Sequence, residues 1–176
     1  MEARSLSALV EVVLPVAWRR DSPWHGESHW RCVAATGLEL AAGTEDADRA
    51  LVFCFGLLHD TRRVDEAVDA GHGARAATFA TELRDAGVLR LDGAPFRSLV
   101  SALRLHSGGR VSPDPTIGTC WDADRLHLPR VGIEPDPALL STDRARAPRS
   151  LSGAERLRRD GAPGWDELVA RVGATV

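Results

Sequence analysis

One stretch of this chain is apolar on every side. Residues 50–58, Ala-Leu-Val-Phe-Cys-Phe-Gly-Leu-Leu, carry no charged side chain, and the next two residues are His59 and Asp60. Nine residues fall well short of the ~20 that a bilayer-spanning helix needs. A helix that is hydrophobic all round belongs at the centre of a core. The rest of the chain must therefore pack around it, and its end delivers a polar pair into the interior. An unpaired carboxylate buried there costs several kcal/mol, so Asp60 calls for a partner of opposite charge.

The flanking periodicity predicts more helices. Residues 5–18 read as one. Residues 28–42 place His29, Val33, Gly37, Leu40 and Ala41 on one face, with Gly43 as the C-cap. Asp46 or Asp48 starts the central helix. Further helices are expected over 71–84, from Pro95 to about His106, and over 116–128. A stretch broken by Pro129, Pro135 and Pro137 follows, then a segment over 141–163 rich in Arg, Ser, Gly and Pro. A last short helix over 165–172 is expected to fold back on the core. Strand signals are nearly absent after residue 20. The expected fold is all-α, with about five core helices in residues 1–145. An Arg-rich C-terminal extension, residues 146–176, is expected to be packed on the core or partly flexible.

Composition removes several classes. Lys+Arg total 22 against 25 Asp+Glu, a net charge of −3, and all the bases are arginine, a bias that a GC-rich genome produces. With a pI near 6.1, the chain lacks the basic excess of a dedicated nucleic-acid binder. No signal-peptide or membrane segment is read. Cys32, Cys54 and Cys120 are odd in number and sit in apolar stretches without CxxC spacing. They are expected to be buried thiols of a cytoplasmic protein, neither disulfides nor a thiolate zinc site.

The chemistry concentrates in histidine and aspartate. The histidines are His25, His29, His59, His72, His106 and His127. His25-Gly-Glu-Ser-His29 has the histidine spacing of a zincin, but Gly26 stands where that motif needs Glu. Asp122 and Asp124 lie about 200° apart around a helix, so one face cannot present both. Imidazole and carboxylate together suit Mn, Fe, Ni, Co or Zn, with Mg also admissible, and single out none of them.

Three segments in order carry a family resemblance: His29-Trp-Arg-Cys-Val33, Leu57-Leu58-His59-Asp60 and Ala123-Asp124-Arg125-Leu126-His127. Together they resemble the HD superfamily of metal-dependent phosphohydrolases, named for its adjacent His-Asp pair. Gly71-His72-Gly-Ala-Arg is similar to the third motif of the binuclear members, and Leu105-His106-Ser-Gly-Gly to their fourth. The interval from His59 to His72 is shorter than in those members. The resemblance spans residues 25 to about 130.

It implies an HD-like helical bundle with His29, His59, Asp60 and Asp124 holding one divalent ion. Asp60 would bridge to a second ion where His72 and His106 also bind. It favours Asp124 over Asp122, which would instead orient a ligand histidine. His59 and Asp60 are the implied catalytic pair. His25, Arg62, Arg63 and Arg125 are the candidates to hold substrate, the arginines as bidentate clamps on phosphate oxygens. The implied reaction is attack by metal-activated water on a small phosphorylated substrate of nucleotide type. Two alternatives stand beside it, since some HD-fold proteins are di-iron oxygenases with nearly the same ligands and a non-catalytic nucleotide-binding module would keep the same site. Leu128 stands where the (p)ppGpp hydrolase branch has Asn, and no acidic pair follows His59-Asp60, so alarmone hydrolysis is not implied.

Overall fold

In the computed structural model, which describes residues 1–174, the apolar segment is a helix and every side chain from Ala50 to Leu58 is buried. Asp48 caps it by accepting the Leu51 N–H at 3.0 Å. The described residues are all-α and contain no strand. The α-helices are α1 (Ala3–Val13), α2 (Glu27–Ala41), α3 (Arg49–Leu58), α4 (His72–Asp85), α5 (Gly93–Leu105), α6 (Pro115–Arg125), α7 (Asp143–Arg146), α8 (Pro148–Asp160) and α9 (Trp165–Gly173). No helix among them is long and apolar enough to cross a membrane. α3 is the hub, touching α1, α2, α5, α6 and α9.

Two close approaches set the geometry that matters. Gly56 of α3 packs on Ala34 of α2, where an added Cβ would fall 2.7 Å from the Ala34 Cα. Gly73 of α4 packs on α5, where an added Cβ would fall 2.6 Å from the Leu103 carbonyl oxygen. Each glycine lies within three residues of a histidine in sequence, Gly56 of His59 and Gly73 of His72. The contacts draw α2 towards α3 and α4 towards α5, so that His29 meets His59 and His72 meets His106.

The expected helices form, with shifted ends. α6 stops at Arg125 rather than residue 128, and Pro129 instead opens a 3-10 turn over Leu128–Val131. Gly43 is not a left-handed C-cap: α2 ends at Ala41, and Ala42 stays right-handed. The larger departure is α8, a 13-residue helix within the Arg-, Ser-, Gly- and Pro-rich segment, for which no helix is expected from the sequence. Pro148 starts it, and Ala154 and Leu157 are buried, with α2 beside the helix. In α9, Trp165 and Leu168 are buried, and the Trp165 indole meets Phe53 edge-on at 5.7 Å. The extension expected from residue 146, whose last two residues lie outside the described range, thus joins the same apolar cluster as the preceding helices.

Candidate metal centre

Asp60 is 2 % exposed and follows His59 at the end of α3. Its two carboxylate oxygens face opposite ways. Oδ2 lies 3.8 Å from His59 Nε2 and 4.0 Å from His29 Nε2. Oδ1 lies 3.4 Å from His72 Nε2 and 3.9 Å from His106 Nε2. Asp124, from α6, completes the first side, with Oδ1 3.3 Å from His29 Nε2 and 3.9 Å from His59 Nε2. Two groups, His29–His59–Asp124 and Asp60–His72–His106, each bring their ligand atoms within 4.8 Å of one another. The six predicted ligands are brought together, and the interval from His59 to His72 does not keep His72 away.

The hydrogen bonds fix which nitrogens carry hydrogen. His59 Nδ1 donates to the Gly56 carbonyl at 3.1 Å, and His106 Nδ1 to the Leu103 carbonyl at 2.8 Å. His72 Nδ1 donates to the Asp69 carbonyl. A carbonyl can only accept, so in each neutral imidazole Nε2 presents a lone pair. His72 Nε2 and His106 Nε2 nevertheless stand 2.8 Å apart, and His59 Nε2 and His29 Nε2 3.2 Å apart. Asp60 Oδ1 and Asp124 Oδ1 are buried and accept no hydrogen bond. Lone pairs converging on bare carboxylate oxygens repel unless a cation stands among them. The donor set therefore fits divalent ions, and backbone carbonyls behind metal-ligating imidazoles are the usual means of aiming them.

Protonation agrees with that fit. Burial, with Arg130 beside it, holds the His29 imidazolium down to about 3. Burial also lowers His72 and His106, with His106 adding to it at His72 and His59 at His106. Burial opposes ionisation of Asp60, but His59, His25 and His29 around it hold the carboxyl below its ordinary range. Asp124 is likewise held low against burial by His29 and Arg130. Neutral imidazoles and ionised carboxylates are the forms that bind metal.

A cleft opens onto the centre, lined by His25, Asp60, Arg63, His72, His106, Asp124, Arg125 and Arg130. His25 Nδ1 lies 3.1 Å from Asp60 Oδ2. Arg63 is buried, with Nη1 3.6 Å from Asp60 Oδ1 and its other donors on the Asp65 and Ala67 carbonyls. Arg125 stands in the cleft wall, tied to the Leu139 carbonyl and stacked over Trp121. Its buried Nη2 has no partner.

Two predicted residues do not reach the centre. Arg62 points away: its guanidinium donates to the Val16 carbonyl at 2.6 Å and stacks 3.6 Å over Phe79. Asp122 orients no histidine, because its carboxylate is taken by the Ser141 N–H, the Thr142 N–H and the Thr142 hydroxyl at 2.7–2.8 Å. One residue was not predicted. Arg130 has Nη1 3.8 Å from Asp124 Oδ1 and Nη2 3.4 Å from His25 Nδ1, while its Nε donates to the Trp24 carbonyl. It lies on the 3-10 turn after α6, where no periodicity indicates its direction. His127, buried beneath, bonds the Thr36 hydroxyl at 2.9 Å.

Comparison with protein-family models, curated proteins and solved structures finds no match to this chain.

Proposed function

We propose that the chain is a metal-dependent phosphohydrolase of HD type, cleaving a small phosphate ester of nucleotide class at a centre for two divalent ions. The observation that carries this reading is the Asp60 carboxylate, one oxygen turned to His29 and His59 and the other to His72 and His106. A bridging carboxylate between two imidazole pairs suits a two-ion site. Ions held there supply a hydroxide near neutral pH and polarise the phosphoryl oxygen under attack.

The chain's own side chains supply the rest. Arg63, Arg125 and Arg130 line the same cleft, and guanidinium forks fit the non-reacting oxygens of a phosphate. That positive wall favours an anionic substrate such as a phosphate ester. His25 is oriented by Asp60 through Nδ1, which leaves Nε2 without a protein partner among the described residues. Asp60 and His59 are buried, so the side chains at the head of the cleft are themselves shielded from bulk water.

Metal analysis and a phosphatase panel test the reading together. The panel uses nucleoside monophosphates and simple phosphomonoesters with Mn, Co, Ni and Mg. The wild-type chain is expected to carry two ions and turn over at least one ester, and Asp60→Ala to lose both properties. Full metal content in Asp60→Ala would remove the site assignment. A metal-loaded protein that cleaves no ester but consumes dioxygen would replace the reaction class.

A further inference from the structure

The Arg-rich segment from residue 143 to 159 holds Arg144, Arg146, Arg149, Arg156, Arg158 and Arg159. The fold sorts them into two sets. Arg146 pairs with Asp143 and donates to the Leu140 carbonyl, Arg158 donates to the Leu126 carbonyl, and Arg159 chelates Asp160. Arg144, Arg149 and Arg156 make no side-chain hydrogen bond or ion pair among the described residues, and all three line one cleft between α2 and α7–α8.

A solvated tail would scatter its free arginines, whereas here they converge. On α8, Arg149, Ser150, Gly153 and Arg156 recur along the face that meets α2. The Ser150 hydroxyl donates to the Arg144 carbonyl at 2.7 Å, which fixes α7 against the start of α8. Gly153 keeps the floor open, since a Cβ there would meet only the Glu39 carboxylate, at 3.7 Å. Glu39 is the sole carboxylate in the lining, against three arginines. The cleft shares no lining residue with the metal centre. Thr36 in its wall lies seven residues beyond His29 on α2, about 10 Å along the helix.

We propose that this cleft is a second anion site, taking a small oxyanion of the phosphate class with two or more negative charges. Arg144, half-buried, and the exposed Arg149 and Arg156 would hold the ligand as bidentate forks. Glu39 offsets one positive charge, so a singly charged anion gains least.

Titration calorimetry of the full-length chain with inorganic pyrophosphate tests this. Binding is expected in wild type and to survive in Asp60→Ala, whose metal centre is disrupted. An Arg149→Ala/Arg156→Ala double variant should bind about tenfold or more weakly, the loss expected for charge-assisted contacts. Both arginines are exposed and unpartnered, so its melting curve should overlay the wild-type curve. Absence of binding in wild type, unchanged affinity in the double variant, or loss of the signal in Asp60→Ala would each overturn the proposal.

Discussion

The two halves of the candidate metal centre are built differently. His29, His59 and Asp124 come from α2, α3 and α6, three helices that pack on one another in the core. His72 and His106 come from a helix start and a helix end, the first residue of α4 and the cap of α5. The first half sees two carboxylates, Asp124 and one oxygen of Asp60. The second sees only the other Asp60 oxygen and has the Arg63 guanidinium 3.4 Å from the His72 ring nitrogens. Two carboxylates against one would make the first half the tighter ion site, although Arg130, beside Asp124 and His29, offsets part of that charge. The second half compensates by pre-aiming: both its imidazoles are pinned to backbone carbonyls, whereas His29 Nδ1 is buried without a partner. The centre is therefore expected to fill in order, the first half before the second.

The largest expected effect would break that order. His106→Ala should lower the metal content of the dialysed protein from two ions per chain to one. His59→Ala should take it below one and abolish turnover, because the second half alone is the weaker site. Elemental analysis of both variants reads this directly. If His59→Ala keeps one ion while His106→Ala keeps none, the two halves have been ranked the wrong way round.

Next in size is the contrast between the two arginines that flank the halves. Arg130 stands 3.8 Å from Asp124 Oδ1 and 3.4 Å from His25 Nδ1, with its Nε held on the Trp24 carbonyl. Arg130→Ala is expected to lose a charge-assisted contact to substrate worth about 1.5–3 kcal/mol, roughly ten- to a hundredfold in kcat/KM. Metal content should hold, with most of the loss in KM. Arg63 competes with an ion for Asp60, so Arg63→Ala should tighten the second metal while also weakening substrate. Steady-state kinetics alongside metal titration separates these outcomes. An Arg130 variant that loses metal would make that arginine a support of the first half only.

The contrast between halves is only partly legible in the sequence. The apolar run before His59 announces the central helix, because nine residues with no polar face have only one place to go. His29 can be read from its place on a predicted helix face, whereas Asp124 is preferred over Asp122 only by the resemblance to the HD motifs. The second half is harder. Nothing in the interval between His59 and His72 shows that Gly73 lets α4 press on α5 closely enough to bring His72 to His106. The neighbours Arg62 and Arg63 look alike in sequence; the turn after α3 sends one to Phe79 and the other to Asp60. α8 was hidden because Ser150, Ser152 and Gly153 interrupt its few apolar positions. Its Arg, Leu, Ala and Glu residues are good helix formers, and the buried Ala154 and Leu157 add the tertiary contact that places it.

Asp122 and Asp124 give the smallest and cleanest test, since two turn-mates on one helix divide between structure and site. Asp124 faces the imidazoles, and Asp122, rotated away, gathers three donors from residues 141 and 142. Burial pushes the Asp122 carboxyl up, and those donors work against that rise. Asp122→Ala leaves the Ser141 and Thr142 N–H groups without their acceptor, a cost of about 1–3 kcal/mol. The melting temperature should fall, while metal content and KM stay at wild-type values because no ligand histidine leans on Asp122. Asp124→Ala should do the reverse, stripping metal from the first half. Loss of metal in Asp122→Ala, measured on the folded fraction, would return that residue to the centre and blur the line between the scaffold and the first half.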